Sequence, residues 1–203
     1  MPEAYLFDIG NVIIAFDFRK AADRIAPQCL VTPEEALRVV TGLSPELERG
    51  VLTEDEFVSE CVTAIGFDGP KEQFREAVAD IFELNEPMVE FIEHLKSKKV
   101  PLFLLSNTNG IHVPFFEAKY PVFGHFDDRV YSHQVKAMKP DPEIYQITIS
   151  QLGIDPTKTI YIDDLGPNCD AGRQAGFLSI RYDLDDHSGF MDRIAQMAPD
   201  HSI

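Results

Sequence analysis

Five short apolar runs most narrowly limit how this chain can fold: 4–7 (AYLF), 101–106 (PLFLLS), 128–132 (DRVYS), 159–163 (TIYID) and 177–182 (FLSIRY). Most are apolar at nearly every position, as in parallel strands covered on both faces. Stretches with helical periodicity separate them. Residues 87–99 set Met88, Val89, Ile92 and Leu95 on one stripe behind Pro87, which suits a first helical turn. Residues 141–153 bring Ile144, Ile147, Ile149 and Leu152 toward one face and stop at Gly153, and a shorter helix over 166–176 closes on Gly176. This alternation predicts an α/β fold with a doubly wound parallel sheet.

The alternation breaks between 17 and 86, where the spacing predicts helices near 18–26, 33–41, 53–65 and 71–83. Thr32 and Thr53 are each followed three residues later by Glu, the pattern of a capping box. Phe57, Val58, Cys61, Val62 and Ile65 line one helical face. The expected organisation is a core of 1–16 and 87–203, with a helical insert, 17–86, over one end of the sheet.

At 203 residues the chain suits one substantial domain or a core with a small insert. No segment approaches the roughly 18 apolar residues of a membrane span, and no basic-then-apolar leader opens the chain. Three scattered cysteines suit a reducing cytoplasm better than a disulfide framework. With 18 Lys+Arg against 34 Asp+Glu the net charge is −16, a surface that repels nucleic acid and anionic lipid. An anionic substrate would therefore need a local cation.

Open α/β sheets bind ligands beyond the carboxyl ends of their strands, where strand order reverses. Four polar groups fall at or beyond such ends: Asp8, Ser106-Asn107-Thr108, Lys139 and Asp163-Asp164. These residue types suit phosphoryl transfer. Asp8 can attack phosphorus to form an aspartyl phosphate that water hydrolyses. Asp8 and Asp164 are hard oxygen ligands for Mg²⁺. Ser106 and the N–H groups after it can donate to phosphate oxygens, and Lys139 offsets the carboxylates. The six histidines show no zinc-ligand spacing.

In order and spacing, FDIGNV, LLSNT, MKPDPEIY and YIDD resemble the four motifs of the haloacid dehalogenase (HAD) superfamily, and 17–86 resembles the helical cap of its subfamily I. LERGVLTEDEF (47–57) is similar to a cap segment of bacterial sugar-phosphate phosphatases of the α-glucose-1-phosphate type, and IDDLGPNCDAGRQAG to the phosphatase domain of soluble epoxide hydrolase. The resemblance implies a Rossmann-like core and a Mg²⁺-dependent phosphatase acting on a small phosphate monoester. It implies Asp8 as nucleophile and metal ligand, the Gly10 carbonyl and Asp164 as further ligands, and Ser106, Asn107 and Lys139 at the phosphate. Asp163 and Asn168 would support them, with Glu48 and Arg49 as candidates for substrate selection.

The chain departs from that pattern at Gly10. Most HAD phosphatases carry a second Asp there, which protonates the leaving group and activates water. Gly10 leaves that seat empty, with Asp17 and Glu48 as candidate substitutes. A phosphotransferase or mutase, a weak phosphoryl-ligand-binding protein and a 2-haloacid dehalogenase stay open as alternatives, the last disfavoured by the missing Tyr at this position.

Overall fold

The computed structural model describes residues 1–202. Its strands are β1 (Ala4–Phe7), β2 (Ile14–Phe16), β3 (Phe82–Leu84), β4 (Leu102–Ser106), β5 (Asp128–Tyr131), β6 (Thr159–Asp163) and β7 (Leu178–Arg181). Its α-helices are α1 (Phe18–Ile25), α2 (Pro33–Glu48), α3 (Glu54–Ile65), α4 (Lys71–Ala79), α5 (Glu86–Ser97), α6 (His112–Lys119), α7 (Ser132–Val135), α8 (Pro142–Leu152), α9 (Gly166–Gln174) and α10 (His187–Met197). The five apolar runs are the strands of one parallel sheet in the order β5-β4-β1-β6-β7. Phe7 lies opposite Leu104 on one side and Ile162 on the other. From β1 the chain builds outward through β4 and β5, then returns to lay β6 and β7 on the other flank, so strand order reverses beside β1.

Both faces of β1 are buried because its side chains alternate between two cores. Tyr5 and Phe7 meet Phe91 of α5, which packs edge-on against Phe190 of α10. Leu6 joins Leu105, Tyr145, Tyr161 and Phe177 on the opposite side. Helices α1–α4 form the inserted cap, and both predicted capping boxes are present, at Thr32–Glu35 and Thr53–Glu56.

Two cap helices differ from their expected lengths. The helix expected to stop at 41 continues through Pro45 to Glu48, because Val40, Ser44 and Leu47 keep its inner face buried, and that packing outweighs the local cost of Gly42 and Pro45. The helix expected over 71–83 stops at Ala79. The chain then turns extended, and β3 pairs antiparallel with β2, Phe82 opposite Phe16 and Leu84 opposite Ile14. This ribbon carries both crossings between sheet and cap.

Three consecutive cap residues dock the end of α2 onto the core. The Ser132 hydroxyl donates to the Glu48 carbonyl at 2.7 Å, Arg49 pairs with Asp141 at 3.7 Å, and Gly50 (φ 67°) lies against the His133 carbonyl, where a Cβ would collide. Gly50→Ala should therefore lower stability by at least about 1 kcal/mol from its left-handed backbone alone, read as a lower midpoint in thermal or urea unfolding.

Candidate active site

The site is assembled at the carboxyl edge of β1, β4 and β6. The Asp8 N–H extends the β1–β6 ladder by donating to the Ile162 carbonyl at 2.8 Å, which fixes Asp8 at the strand end. The Lys139 ammonium lies 2.8 Å from Asp8 Oδ1 and 2.7 Å from Asp163 Oδ2, and donates to the Leu105 carbonyl at 3.0 Å. Three protons meet three acceptors, so this buried lysine is fully committed. The Asn107 amide clamps its backbone from both sides: Nδ2 donates to the Lys139 carbonyl and Oδ1 accepts from the Lys139 N–H, each at 2.9 Å.

Asp163 and Asp164 are adjacent in sequence but differ in what they can do. Besides Lys139, Asp163 accepts from the Tyr161 hydroxyl at 2.5 Å, the Leu165 N–H at 2.9 Å and Asn168 Nδ2 at 3.0 Å. Its lone pairs are spent on holding Lys139 in place. Asp164 is only half-buried and accepts from Asn11 Nδ2 at 3.1 Å, so it retains acceptor capacity. Asn11 reaches it from a left-handed turn, φ 53°, directly after Gly10.

Burial pushes the Asp8 carboxyl above the usual carboxylate range; Lys139 pulls it back, and Asp163 and Asp164 push it further up. Burial would also raise Asp163, but Lys139, Tyr161 and Leu165 hold it low. Burial works against the Lys139 charge as well, yet Asp163 and Asp8 together raise its pKa, so it stays protonated. Oxygens of Asp8, Asp163 and Asp164 all lie within 4.8 Å of one another, and one ammonium leaves two of their charges uncompensated. A divalent hard cation fits that imbalance and that all-oxygen donor set. Asp8 and Asp164 have oxygens free for it, with Gly10 at the same edge.

Beside this cluster lies a cavity of about 80 Å³. Gly10, Ser106, Asn107 and Thr108 line it from the core, and Phe18, Glu48, Ile81 and Phe82 from the cap side. Ser106 is buried, and its hydroxyl makes only a long 3.4 Å contact with the Asn107 carbonyl. Because the Asn107 side chain is bound to Lys139 and the Thr108 N–H donates to Ser132 Oγ at 3.0 Å, the Ser106 hydroxyl and the Asn107 N–H are the groups left for an anion. Glu48 lines the cavity directly, and burial pushes its carboxyl up to about 7 against the opposing pull of Lys139.

The Phe16 ring lies over Gly10, which carries no proton-transfer group. A Cβ there would stand 2.9 Å from Cε1 of Phe16, whose ring covers the position. Asp17 is exposed and caps α1 through the Arg19 N–H at 2.9 Å, away from the cavity. Arg49 is likewise absent from the cavity wall and pairs with Asp141. Sequence reasoning missed Asn11, Ser132, Tyr161 and Phe16. Asn11 had a local signal as the Asn of a Gly-Asn turn, and Tyr161 as the first residue of YIDD, two before the Asp163 it bonds; Ser132 and Phe16 lie outside every motif.

His112 is a buried wall of the same cavity. Asn109 Oδ1 accepts from the Ile111 and His112 N–H groups, which turns its Nδ2 toward His112 Nδ1 at 3.1 Å. Nδ1 is then the acceptor and the ring is neutral, with burial lowering its pKa to about 4.

Two predictions follow from these charges. Lys139→Ala leaves buried carboxylates unpaired and should cost about 3–5 kcal/mol in urea unfolding. The His112 pKa is about 4 folded against 6.5 unfolded. Its contribution is complete above pH 6.5 and lost as pH falls toward 4, because only the unfolded chain binds the proton in that window. The loss should be about 3 kcal/mol, and His112→Gln should remove that part of the pH dependence in unfolding titrations.

Residues 2–176 match the family model for haloacid dehalogenase-like hydrolases. The chain is 30% identical over 186 residues to the D-ribitol-5-phosphate phosphatase of Bacteroides thetaiotaomicron, covering 87% of this chain and 90% of that protein. It is 29% identical over 105 residues to a phosphorylated carbohydrates phosphatase of Thermotoga maritima, covering 52% of this chain and 49% of that one. Among solved structures, a HAD family enzyme from Bacteroides thetaiotaomicron in complex with magnesium and inorganic phosphate superposes with a TM-score of 0.82 at 25% identity, covering 94% and 99% of the two chains. With the sheet order, the cap and the carboxylate–lysine cluster, this chain belongs to the haloacid dehalogenase-like hydrolases.

Proposed function

We propose that this protein is a Mg²⁺-dependent phosphatase that hydrolyses a short sugar or sugar-alcohol phosphate through a phosphoryl group carried on Asp8. The observation that supports this most directly is the buried Lys139–Asp8–Asp163 cluster beside a cap-covered cavity, at the point of strand-order reversal. Mg²⁺, held by Asp8, Asp164 and the Gly10 carbonyl, would neutralise charge on the phosphoryl oxygens.

This chain's own residues do the rest. The Ser106 hydroxyl and the Asn107 N–H hold the phosphate, and Lys139 aligns Asp8 and adds positive charge at the transferring group. Asp8 attacks phosphorus and the leaving oxygen departs toward the cavity; water then attacks the phosphoryl group and frees Asp8. Asp163, Asn168 and Tyr161 keep Lys139 fixed through both steps. The cap, 17–86, moves against a core of 1–16 and 87–203 and excludes bulk water when closed. Arg49 contributes to that closure rather than to substrate contact.

The aromatic walls of the cavity support a leaving group whose CH faces lie on Phe18 and Phe82. The activities named for the two phosphatase relatives support a carbohydrate or polyol phosphate. The free thiols of Cys29, Cys61 and Cys169 support a cytoplasmic location, and no helix among the described residues is long and apolar enough to cross a membrane.

The test is a panel of alditol, sugar and p-nitrophenyl phosphates, read with Mg²⁺ and after chelation. Hydrolysis should require the metal and fall to background in Asp8→Asn. Turnover of p-nitrophenyl phosphate alone would reject the carbohydrate substrate, and metal-independent halide release from a haloacid would reject the phosphatase.

A further inference from the structure

Phosphate-ester cleavage at Asp8 needs a proton for the leaving alkoxide, and later a base for the attacking water. The usual place for such a group, position 10, has no side chain, and the Phe16 ring covers it at 2.9 Å from the position of a Cβ. The proton must come from elsewhere in the cavity. Lys139 has all three protons committed, and the acceptor sites of Asp163 are filled by hydrogen bonds. Asp17 is exposed and occupied as a helix cap. His112 lines the cavity, but its Nδ1 accepts from Asn109 and the ring is neutral, with a pKa near 4 that leaves it a poor acceptor at neutral pH. Among the described residues, Glu48 is the one carboxyl group in the cavity wall, which it shares with Gly10 and Ser106.

We propose that Glu48, delivered by the cap, is the proton-transfer residue of this enzyme, replacing the carboxylate that position 10 lacks. The proposal rests on the phosphatase reading above. In the first step an Asp8 oxygen bonds to phosphorus as the P–O bond to the leaving group breaks. The electron pair of that bond leaves with the alkoxide, and the Glu48 carboxylic acid protonates it, leaving Glu48 as carboxylate. In the second step the carboxylate takes a proton from water as the water oxygen bonds to phosphorus. The P–O bond to Asp8 breaks, returning its electron pair to Asp8, and Glu48 ends protonated for the next cycle.

Two further observations suit this role. Burial places the Glu48 carboxyl near 7, where acid and base forms are both populated at neutral pH. Its backbone carbonyl is held by the Ser132 hydroxyl, which also accepts from the Thr108 N–H at 3.0 Å. One hydroxyl thus ties the cap residue to the loop that carries Ser106 and Asn107. Docking of the cap brings the acid to the phosphate site, and undocking removes it.

The experiment compares leaving groups in Glu48→Gln, an isosteric change that keeps the Ser132 contact to the backbone. On an alkyl phosphate, kcat should fall about 10²–10⁴-fold with little change in KM. On p-nitrophenyl phosphate, whose leaving group needs little acid, the first turnover should stay fast. It should appear as a burst of one nitrophenolate per site, followed by slow turnover as phospho-Asp8 accumulates, which mass spectrometry of acid-quenched enzyme would detect. Glu48→Asp, an acid one methylene short, should fall between wild type and Glu48→Gln. A Glu48→Gln enzyme with wild-type kcat on both substrates overturns the proposal. So does equal loss in Gln and Asp variants regardless of leaving group, or a rise in KM alone. Wild-type protein with no Asp8-dependent turnover would instead fail the phosphatase reading itself.

Discussion

The buried ammonium of Lys139 is the interaction on which the rest of the site depends. Removing an ammonium and two carboxylates from water costs several kcal/mol per ion, repaid only if each is paired and its remaining hydrogen-bonding capacity is used. Here three neighbouring strands supply the repayment: Asp8 at the end of β1, the Leu105 carbonyl in β4 and Asp163 at the end of β6. Asn107 fixes the lysine backbone, and Tyr161 and Asn168 fix Asp163. A one-residue slip in β1 or β6 would turn its terminal carboxylate to the other face. The register of the sheet and the geometry of the site are therefore one constraint.

That cluster also explains how a chain of net charge −16 can handle an anion. The positive charge is local and buried, and the three carboxylates around it exceed it by two charges, which a divalent cation matches. The cap contributes the opposite kind of surface. Phe16, Phe18 and Phe82 make an apolar wall in which one carboxyl group, Glu48, is desolvated and holds its proton near neutral pH. Core and cap thus divide the chemistry, charge stabilisation on one side and proton affinity on the other. The latch at Glu48, Arg49 and Gly50 brings the two together.

The cap helices show where local reading stops. Capping boxes at Thr32 and Thr53 are legible because their residues lie within one turn of each other. The continuation of α2 through Pro45 to Glu48 is not, because it depends on burial of Val40, Ser44 and Leu47 in the folded cap. The extended return at β3 is not legible locally either, because its pairing with β2 links segments separated by the whole cap. That Phe16 lies over Gly10 is equally a product of the fold, since Phe16 is held opposite Phe82 by the same pairing.

The sequence by itself determined the parallel sheet, from its apolar runs, and the inserted cap, from the break in their alternation; it also placed Asp8, Ser106 and Asp163-Asp164 at strand ends as candidates for the site. Tertiary structure decided the work of each group. It spent Asp163 and Asn107 on Lys139 while leaving Asp164 with free acceptor capacity, put Phe16 against Gly10 and brought Glu48 to the cavity while leaving Asp17 outside. Those outcomes depend on which lone pairs, protons and volumes are already taken by residues far along the chain, and only the folded packing settles that competition.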